Sequence, residues 1–207
     1  MAPTRRRGRP PTDVVAQGER RSEIIATAQQ LFTQSGYAAV SLGQIADEVG
    51  VTKSALYNHF ASKEALYAEV VCSLMASIAE AIRRVADAPL STAERLREIA
   101  GHALVRIPVR SRIDEMMRDV AEHLSTEERA LVTTAHGQML DAMTAVMQRG
   151  VDAGELRADL PADFLATSFL MLVSGYQGHH HIREDAREPE QLPDRVVSLF
   201  LEGAGRR

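Results

Sequence analysis

Apolar residues recur along the chain at helical spacing, and no stretch shows the strict alternation of a β-strand. One short segment illustrates the period, with apolar residues at i, i+3, i+4 and i+7: Leu42, Ile45, Ala46 and Val49. Together with Ser and Thr caps before such segments and Gly or Pro after them, the pattern predicts an all-α fold of about nine helices. Their approximate ranges are 21–35, 42–49, 53–60, 63–86, 91–107, 112–124, 125–153, 161–181 and 193–202.

The segment 41–60 has the signals of two short helices joined by a tight turn. Ser41 and Gln44 can form a capping box, and Gly50 supplies the left-handed residue that ends the first helix. Thr52 is placed to cap a second helix that buries one edge and shows polar side chains elsewhere. This arrangement is typical of a helix-turn-helix, whose second helix enters the major groove of DNA. The alternative is an ordinary helix pair in a small α domain.

Charge is distributed unevenly between the two ends of the chain. The formal net charge is −4, but residues 1–63 hold eight Lys and Arg against five Asp and Glu, a net charge of +3. Both lysines of the chain, Lys53 and Lys63, lie in that basic part. We therefore expect a basic DNA-binding head at 20–66 on an acidic body at 67–207.

Residues 1–19 are rich in Arg, Pro and Gly without an apolar period, which predicts a disordered basic arm. Within this arm, Arg7-Gly8-Arg9-Pro10 resembles the core of an AT-hook. Arg7 and Arg9 on a Pro-stiffened backbone suit the narrow, electronegative minor groove of A·T-rich DNA. A solvated basic tail that only attracts phosphates is an equally good interpretation.

Composition argues against several other classes of protein. The single cysteine, Cys72, excludes an intrachain disulfide framework and favours a reducing, cytoplasmic location. We identify no apolar run long enough to span a bilayer, so no membrane partner is expected. No nucleophile elbow, phosphate loop or metal signature is evident, so we expect no enzyme activity and no cofactor.

The run His179-His180-His181 is the strongest candidate for a metal site. Adjacent residues on a regular helix point about 100° apart, so these three cannot grip one ion together. We therefore predict no metal site and interpret the run as a polar helix end. A site assembled across a subunit interface is the minor alternative.

The motif LGQIADEVGVTKSALYNHFASKEAL closely resembles the tetracycline-repressor (TetR) family of bacterial transcription regulators, most densely over residues 24–74. The resemblance implies a repressor that binds a pseudo-palindromic double-stranded DNA operator as a homodimer. Within the motif it implies two groups of contacts. The positions that usually hold phosphates are Thr52, Tyr57, His59 and Lys63, and those that face bases are Lys53, Ser54, Asn58 and Ala55, the last against a thymine methyl group. The predicted DNA-binding set also includes Ser41, Arg7 and Arg9.

For the body, the resemblance implies a small-molecule inducer bound between helices, and a homodimer interface formed by the eighth and ninth predicted helices. Several methionines lie on helices expected to enclose the cavity, and this flexible side chain suits a pliable pocket for an apolar or amphipathic ligand. Plain core packing is the better interpretation for any one of them. The candidate ligand-binding residues are His102, Arg106, Met116, Val120, Met139, Met143, Phe169 and Tyr176.

Two other functions remain open. One is a constitutive DNA-binding protein that has no ligand. The other is an α-helical carrier or enzyme whose DNA-binding head is vestigial. Binding to DNA upstream of its own gene would separate the carrier or enzyme from a regulator.

Overall fold

The computed structural model describes residues 11–106, 113–179 and 191–205. The described residues form nine α-helices and one π-helical segment, as the all-α prediction requires. The helices are α1 Pro11–Ser35, α2 Leu42–Val49, α3 Lys53–Tyr57, α4 Lys63–Asp87, α5 Thr92–Gly101, α6 Ile113–His123, α7 Thr126–Asp152, α8 Ala162–His179 and α9 Leu192–Ala204. The π-helical segment, His102–Arg106, follows α5 directly.

The chain divides into two compact units, Met1–Val70 and Val71–Arg207. The boundary lies inside α4, four residues after the predicted limit between head and body. In the first unit α1 packs on α2, and α2 packs on α3. The core of this unit is apolar and aromatic, and it includes Ile24, Ala28, Phe32, Tyr37, Ile45, Leu56, Phe60, Leu66 and Tyr67.

In the second unit, α7 packs against α5, α6 and α8, while α9 packs against α5 and α8. Two serine capping boxes, at the starts of α5 and α7, are present here. Ser91 accepts a hydrogen bond from the backbone N–H of Glu94, and Ser125 does the same for Glu128. Each pair leaves fewer helix-end N–H groups without a protein acceptor, which is why these starts could be predicted from local sequence.

Two helix ends differ from the prediction. α1 begins at Pro11 and not near Arg21, so Pro11–Glu19 is helical where a disordered arm was expected. Proline is well suited to the first helical position, and extending an existing helix avoids a new nucleation cost. α3 ends at Tyr57 and not at Phe60. The chain turns there so that Phe60 enters the core, where it is 2% exposed.

The predicted fifth helix, 91–107, also differs in its last turn. Regular α-helix ends at Gly101, and the next five residues are π-helical. Pro108, which follows in the sequence, has no N–H for the carbonyl of Leu104, so regular α-helical bonding cannot continue through it.

Among the described residues, α4 is long and apolar enough to cross a membrane by length and composition, which the sequence reading did not anticipate. Its buried residues recur at the spacing of one helix face, as in the core helix of a globular domain. They include Leu66, Val70, Met75, Ala79 and Ile82.

Close packing at Gly150 joins the end of α7 to the start of α5. A Cβ on Gly150 would lie 2.8 Å from Thr92 Oγ1 and 2.9 Å from Leu156 Cδ1. Nearby, the backbone N–H of Thr92 donates to the Glu155 carboxylate over 2.6 Å. The junction therefore depends on the absence of a side chain at position 150.

We predict that Gly150→Ala destabilises the protein by about 1–3 kcal/mol, because the added methyl overpacks this junction. Gly137→Ala is the matched control. Gly137 lies on the same helix, and a Cβ at this position would have no neighbouring atom within 4 Å. That control is expected to be neutral or to stabilise by up to about 1 kcal/mol. Urea unfolding followed by circular dichroism measures both, and equal stabilities of the two variants would contradict the prediction.

Candidate nucleic-acid interface

The connection between α2 and α3 is a three-residue turn with defined backbone geometry. Gly50 has a φ of 74°, in the left-handed region, and its N–H bonds back to α2 carbonyls. The N–H of Val51 donates to the carbonyl of Ala46 over 2.9 Å. Thr52 Oγ1 then accepts from the N–H of Ala55 over 3.1 Å and caps α3. The Gly50 ending and the Thr52 cap of the predicted helix-turn-helix are both confirmed.

The short helix α3 is anchored through a single apolar residue. Within Lys53–Tyr57, Leu56 alone is buried, with no exposed surface. Ala55 is half-buried, Lys53 and Ser54 are exposed, and the Tyr57 side chain is 48% exposed. The helix thus presents a cationic, a hydroxyl and a phenolic side chain to the surroundings, which are the groups that contact phosphates and base edges.

Asn58 and His59 lie just beyond α3 and not within it. The Asn58 N–H donates to the carbonyls of Ser54 and Ala55 over 3.2 Å each, so its backbone closes the helix. Its side chain is exposed, whereas His59 is half-buried with its ring 6.4 Å from the ring of Phe60. Both residues therefore remain next to the exposed side chains of α3.

The N-terminus of α4 begins with two oppositely charged residues. Just before it, Ser62 Oγ accepts a hydrogen bond from the backbone N–H of Ala65 over 3.0 Å. Lys63 places its Nζ 4.1 Å from the centroid of the Tyr37 ring. The Tyr37 hydroxyl donates to Glu64 Oε1 over 2.9 Å. One tyrosine therefore contacts both charged side chains.

The carboxyl group of Glu64 is stabilised in its ionised form. A hydrogen bond from its own backbone N–H lowers the pKa of Glu64, and the Tyr37 and Ser62 hydroxyls and the Lys63 charge act in the same direction. Partial burial opposes them without reversing the shift. At neutral pH this helix end therefore carries one positive and one negative side chain.

Sequence reasoning gave no role to Tyr37 or to Arg21. The guanidinium of Arg21 lies 4.8 Å from the centroid of the Phe60 ring and forms a salt bridge with Glu69. Tyr37 directly follows Gly36, the glycine that ends α1. An aromatic residue just after a helix end was the only sequence feature that could have pointed to a packing role for Tyr37. Neither contact follows from local spacing, because both connect residues far apart in sequence.

Ser41, Arg7 and Arg9 complete the predicted DNA-binding set. Ser41 is exposed at the start of α2, where its Oγ accepts from the Gln44 N–H over 3.2 Å in the predicted capping box. Arg7 and Arg9 lie outside the described residues, so the contact of the arm with A·T-rich DNA stays a prediction.

The candidate ligand-binding residues are mostly core positions of the second unit. Five of them are at most 8% exposed: Met116, Val120, Met139, Met143 and Phe169. Phe169 packs edge-on against Phe200 with ring centroids 5.1 Å apart. His102 is exposed, and the side chains of Arg106 and Tyr176 lie outside the described part of the chain. The pocket between helices stays a prediction.

A cavity of about 710 Å³ opens elsewhere in this unit, where the turn after α7 meets the end of α9. It is lined by Val151, Gly154, Leu156, Arg157, Ala158, Asp159, Gly203 and Gly205, none of which was a ligand candidate. Arg157 in its wall is bonded to Asp159, so the two charges satisfy each other. Among the described residues no three His, Cys, Asp or Glu side chains are grouped to hold a metal ion; His180 and His181 are not described.

The sequence pattern of the bacterial regulatory proteins of the tetR family matches residues 24–70, which contain the helix-turn-helix. The HTH-type transcriptional regulator AcrR of Shigella flexneri is 30% identical over 161 residues, covering 76% of this chain and 74% of AcrR. The HTH-type transcriptional repressor KstR2 of Rhodococcus jostii is 25% identical over 199 residues, covering 94% of this chain and 95% of KstR2.

A solved structure shares the fold over nearly the whole chain. The crystal structure of reduced E. coli NemR superposes with a TM-score of 0.74 at 17% identity, covering 90% of this chain and 97% of that structure. The exposed α3, the capped turn before it and these similarities agree on one assignment. The chain belongs to the tetR family of bacterial transcription regulators.

Proposed function

We propose that this protein is a repressor that binds a pseudo-palindromic operator as a homodimer and is released by a small apolar or amphipathic molecule. The observation that carries the DNA-binding part is α3, a helix held by Leu56 with its polar side chains exposed. A helix anchored on one edge can enter a major groove without losing its place in the core.

The side chains on and next to α3 divide by chemistry into two sets of proposed contacts. Thr52, Tyr57, His59 and Lys63 contact phosphates, which position the protein on the duplex. Lys53 reads guanine O6 and N7, and Asn58 reads adenine, because these pairings match donors to acceptors on the base edges. Ser54 also faces bases, and Ala55 touches a thymine methyl group.

The homodimer forms through α8 and α9 in this proposal. Phe164 and Met171 of α8 are seven residues apart, hence on one helix face, and are 56% and 70% exposed. On α9, Leu199 is 54% exposed. Large exposed apolar side chains are stabilised when another protein surface buries them, and the same two helices of a second copy can do so with two-fold symmetry.

The ligand part of the proposal rests on the buried methionines of the second unit. Met116, Met139 and Met143 lie on two neighbouring helices, and their flexible side chains can rearrange around an apolar molecule. Such a molecule must bind the released form better than the operator-bound form. Operator DNA must then weaken ligand binding by the same factor, and equal affinity for both forms would exclude that molecule as the inducer.

Selection of bound duplexes from a random pool, followed by gel shift, tests the DNA-binding proposal directly. We expect a two-fold symmetric sequence whose half-sites lie about 34–36 Å apart along the duplex. Recovery of no preferred sequence would contradict an operator-specific regulator.

We predict that Lys63→Ala weakens binding to operator and random DNA about equally. Removing one phosphate contact should also flatten the dependence of log K on log salt by about one unit. Lys53→Ala, which removes the other lysine of the chain, is the contrasting variant because it should weaken the operator more than random DNA. Fluorescence anisotropy titrations at several salt concentrations measure both, and an operator-specific loss in Lys63→Ala would refute its phosphate role.

Asn58→Ala is expected to cost roughly 1–3 kcal/mol on the operator and to relax specificity at one base pair in each half-site. Asn58 closes α3 through its backbone N–H, so the substitution leaves those hydrogen bonds available. The measurement is affinity for a set of single-base operator variants. If their order of preference is unchanged, Asn58 is not a base-reading residue.

For the dimer, we predict that Met171→Glu raises the dissociation constant at least about 30-fold, roughly 2 kcal/mol, because it buries a charge in an apolar interface. Leu131→Glu is the control, since Leu131 is 60% exposed but lies on α7. Sedimentation velocity over a range of concentrations separates the outcomes. The same dimer affinity in both variants would place the interface elsewhere.

A further inference from the structure

We propose that Tyr37 is a positioning residue for DNA binding. It holds the Lys63 ammonium over its ring and the Glu64 carboxylate on its hydroxyl, and so fixes where these two charges are presented at the start of α4. This inference rests on the proposed phosphate contact of Lys63. It adds a buried residue, absent from the expected contact set, that determines where the cation is presented.

Tyr37 itself is held firmly, as a positioning residue must be. It is only 5% exposed, and its ring lies 5.9 Å from the Phe32 ring and 4.6 Å from the Tyr67 ring, measured between centroids. Phe32 and Tyr67 also contact each other edge-on at 4.9 Å. These three rings form a packed aromatic cluster, so the face that Tyr37 offers to Lys63 has a fixed place in the first unit.

The contact compensates for an unfavourable position of Lys63. The N-terminus of a helix carries partial positive charge, which disfavours a cation there. The face of an aromatic ring carries the negative part of its quadrupole and attracts an ammonium within about 6 Å. The separation of 4.1 Å lies well inside that range. The ring has no net charge, so this contact places no compensating negative charge beside the ammonium.

Glu64 competes with DNA phosphate for the Lys63 ammonium, and the hydroxyl of Tyr37 holds its carboxylate. It is adjacent to Lys63 in sequence, and its carboxylate attracts the ammonium. If Glu64 turned fully toward Lys63, the pair would be neutral overall and would attract an approaching phosphate less strongly than the ammonium alone does. The 2.9 Å hydrogen bond from the Tyr37 hydroxyl gives Oε1 of this carboxylate a partner other than Lys63. The ring and the hydroxyl therefore act together.

The experiment combines substitutions at position 37 with the loss of Lys63. Tyr37→Leu removes ring and hydroxyl, and Tyr37→Phe removes the hydroxyl alone. Each is measured in the native background and in Lys63→Ala, using fluorescence anisotropy with a fluorescein-labelled random-sequence duplex at several salt concentrations. Circular dichroism melts establish that every variant is folded at the assay temperature.

We expect Tyr37→Leu to weaken binding about threefold to fivefold and to flatten the salt dependence, because the cation loses its site. Tyr37→Phe should have a smaller effect, and adding Glu64→Gln should restore binding. In the Lys63→Ala background neither substitution should change affinity by more than about twofold, since coupling vanishes when one member of a pair is removed.

Phe32→Leu is the matched control for damage to the aromatic cluster, because Phe32 packs on Tyr37 and Tyr67. It should lower thermal stability but weaken DNA binding less than Tyr37→Leu does, because the ring and hydroxyl of Tyr37 are still present. If Tyr37→Leu weakens binding equally with and without Lys63, the residue acts through folding and the positioning role is overturned. If Tyr37→Leu does not fold, Tyr37→Phe is compared with the Tyr37→Phe, Glu64→Gln double variant. If Glu64→Gln fails to restore DNA affinity in that comparison, the positioning role is overturned.

A different result would refute the proposed phosphate contact of Lys63: Lys63→Ala by itself would leave both the DNA affinity and its salt dependence unchanged. A Lys63→Ala effect that is insensitive to position 37 instead refutes the positioning role alone.

Discussion

The proposed DNA-facing surface around α3 depends on the burial of one side chain, Leu56. α3 has only five residues, and a helix of that length is not stable in water, because nucleation costs more than so few hydrogen bonds return. Burying a leucine completely contributes about 1.5–3 kcal/mol, which is enough to hold one short turn in place. The Thr52 cap and the left-handed Gly50 then set where the helix begins. Because one residue carries the packing, the neighbouring polar side chains are left exposed.

Two cationic side chains of the first unit lie over aromatic rings. Arg21 lies over Phe60 and pairs with Glu69, while Lys63 lies over Tyr37, whose hydroxyl binds Glu64. Each of these carboxylates is thus engaged within the unit.

The second unit combines a closed interior with exposed apolar side chains on α8 and α9. Gly150 allows the start of α5 to lie against the end of α7, and Arg149 in the same turn bonds to the carbonyl of Ala86 and to Asp87 at the end of α4. The candidate pocket residues Met139 and Met143 are buried in this interior. A ligand must therefore displace or rearrange side chains already in contact, which the flexible thioether side chain permits at low cost.

The sequence by itself determined the all-α class, the helix-turn-helix and the serine-capped helix starts. These features depend on local physics: a cap bonds to a backbone N–H three residues away, and an apolar stripe is visible within two turns. The burial of Ile45 follows from the same periodicity. The tertiary structure alone decided where α3 ends, that regular α5 gives way to a π-helical segment, and which candidate pocket residues are enclosed. It also decided the contacts of Tyr37 with Lys63 and Glu64, the latter 27 positions away in sequence. Such contacts depend on how several helices pack together, and no periodicity within one helix records that arrangement.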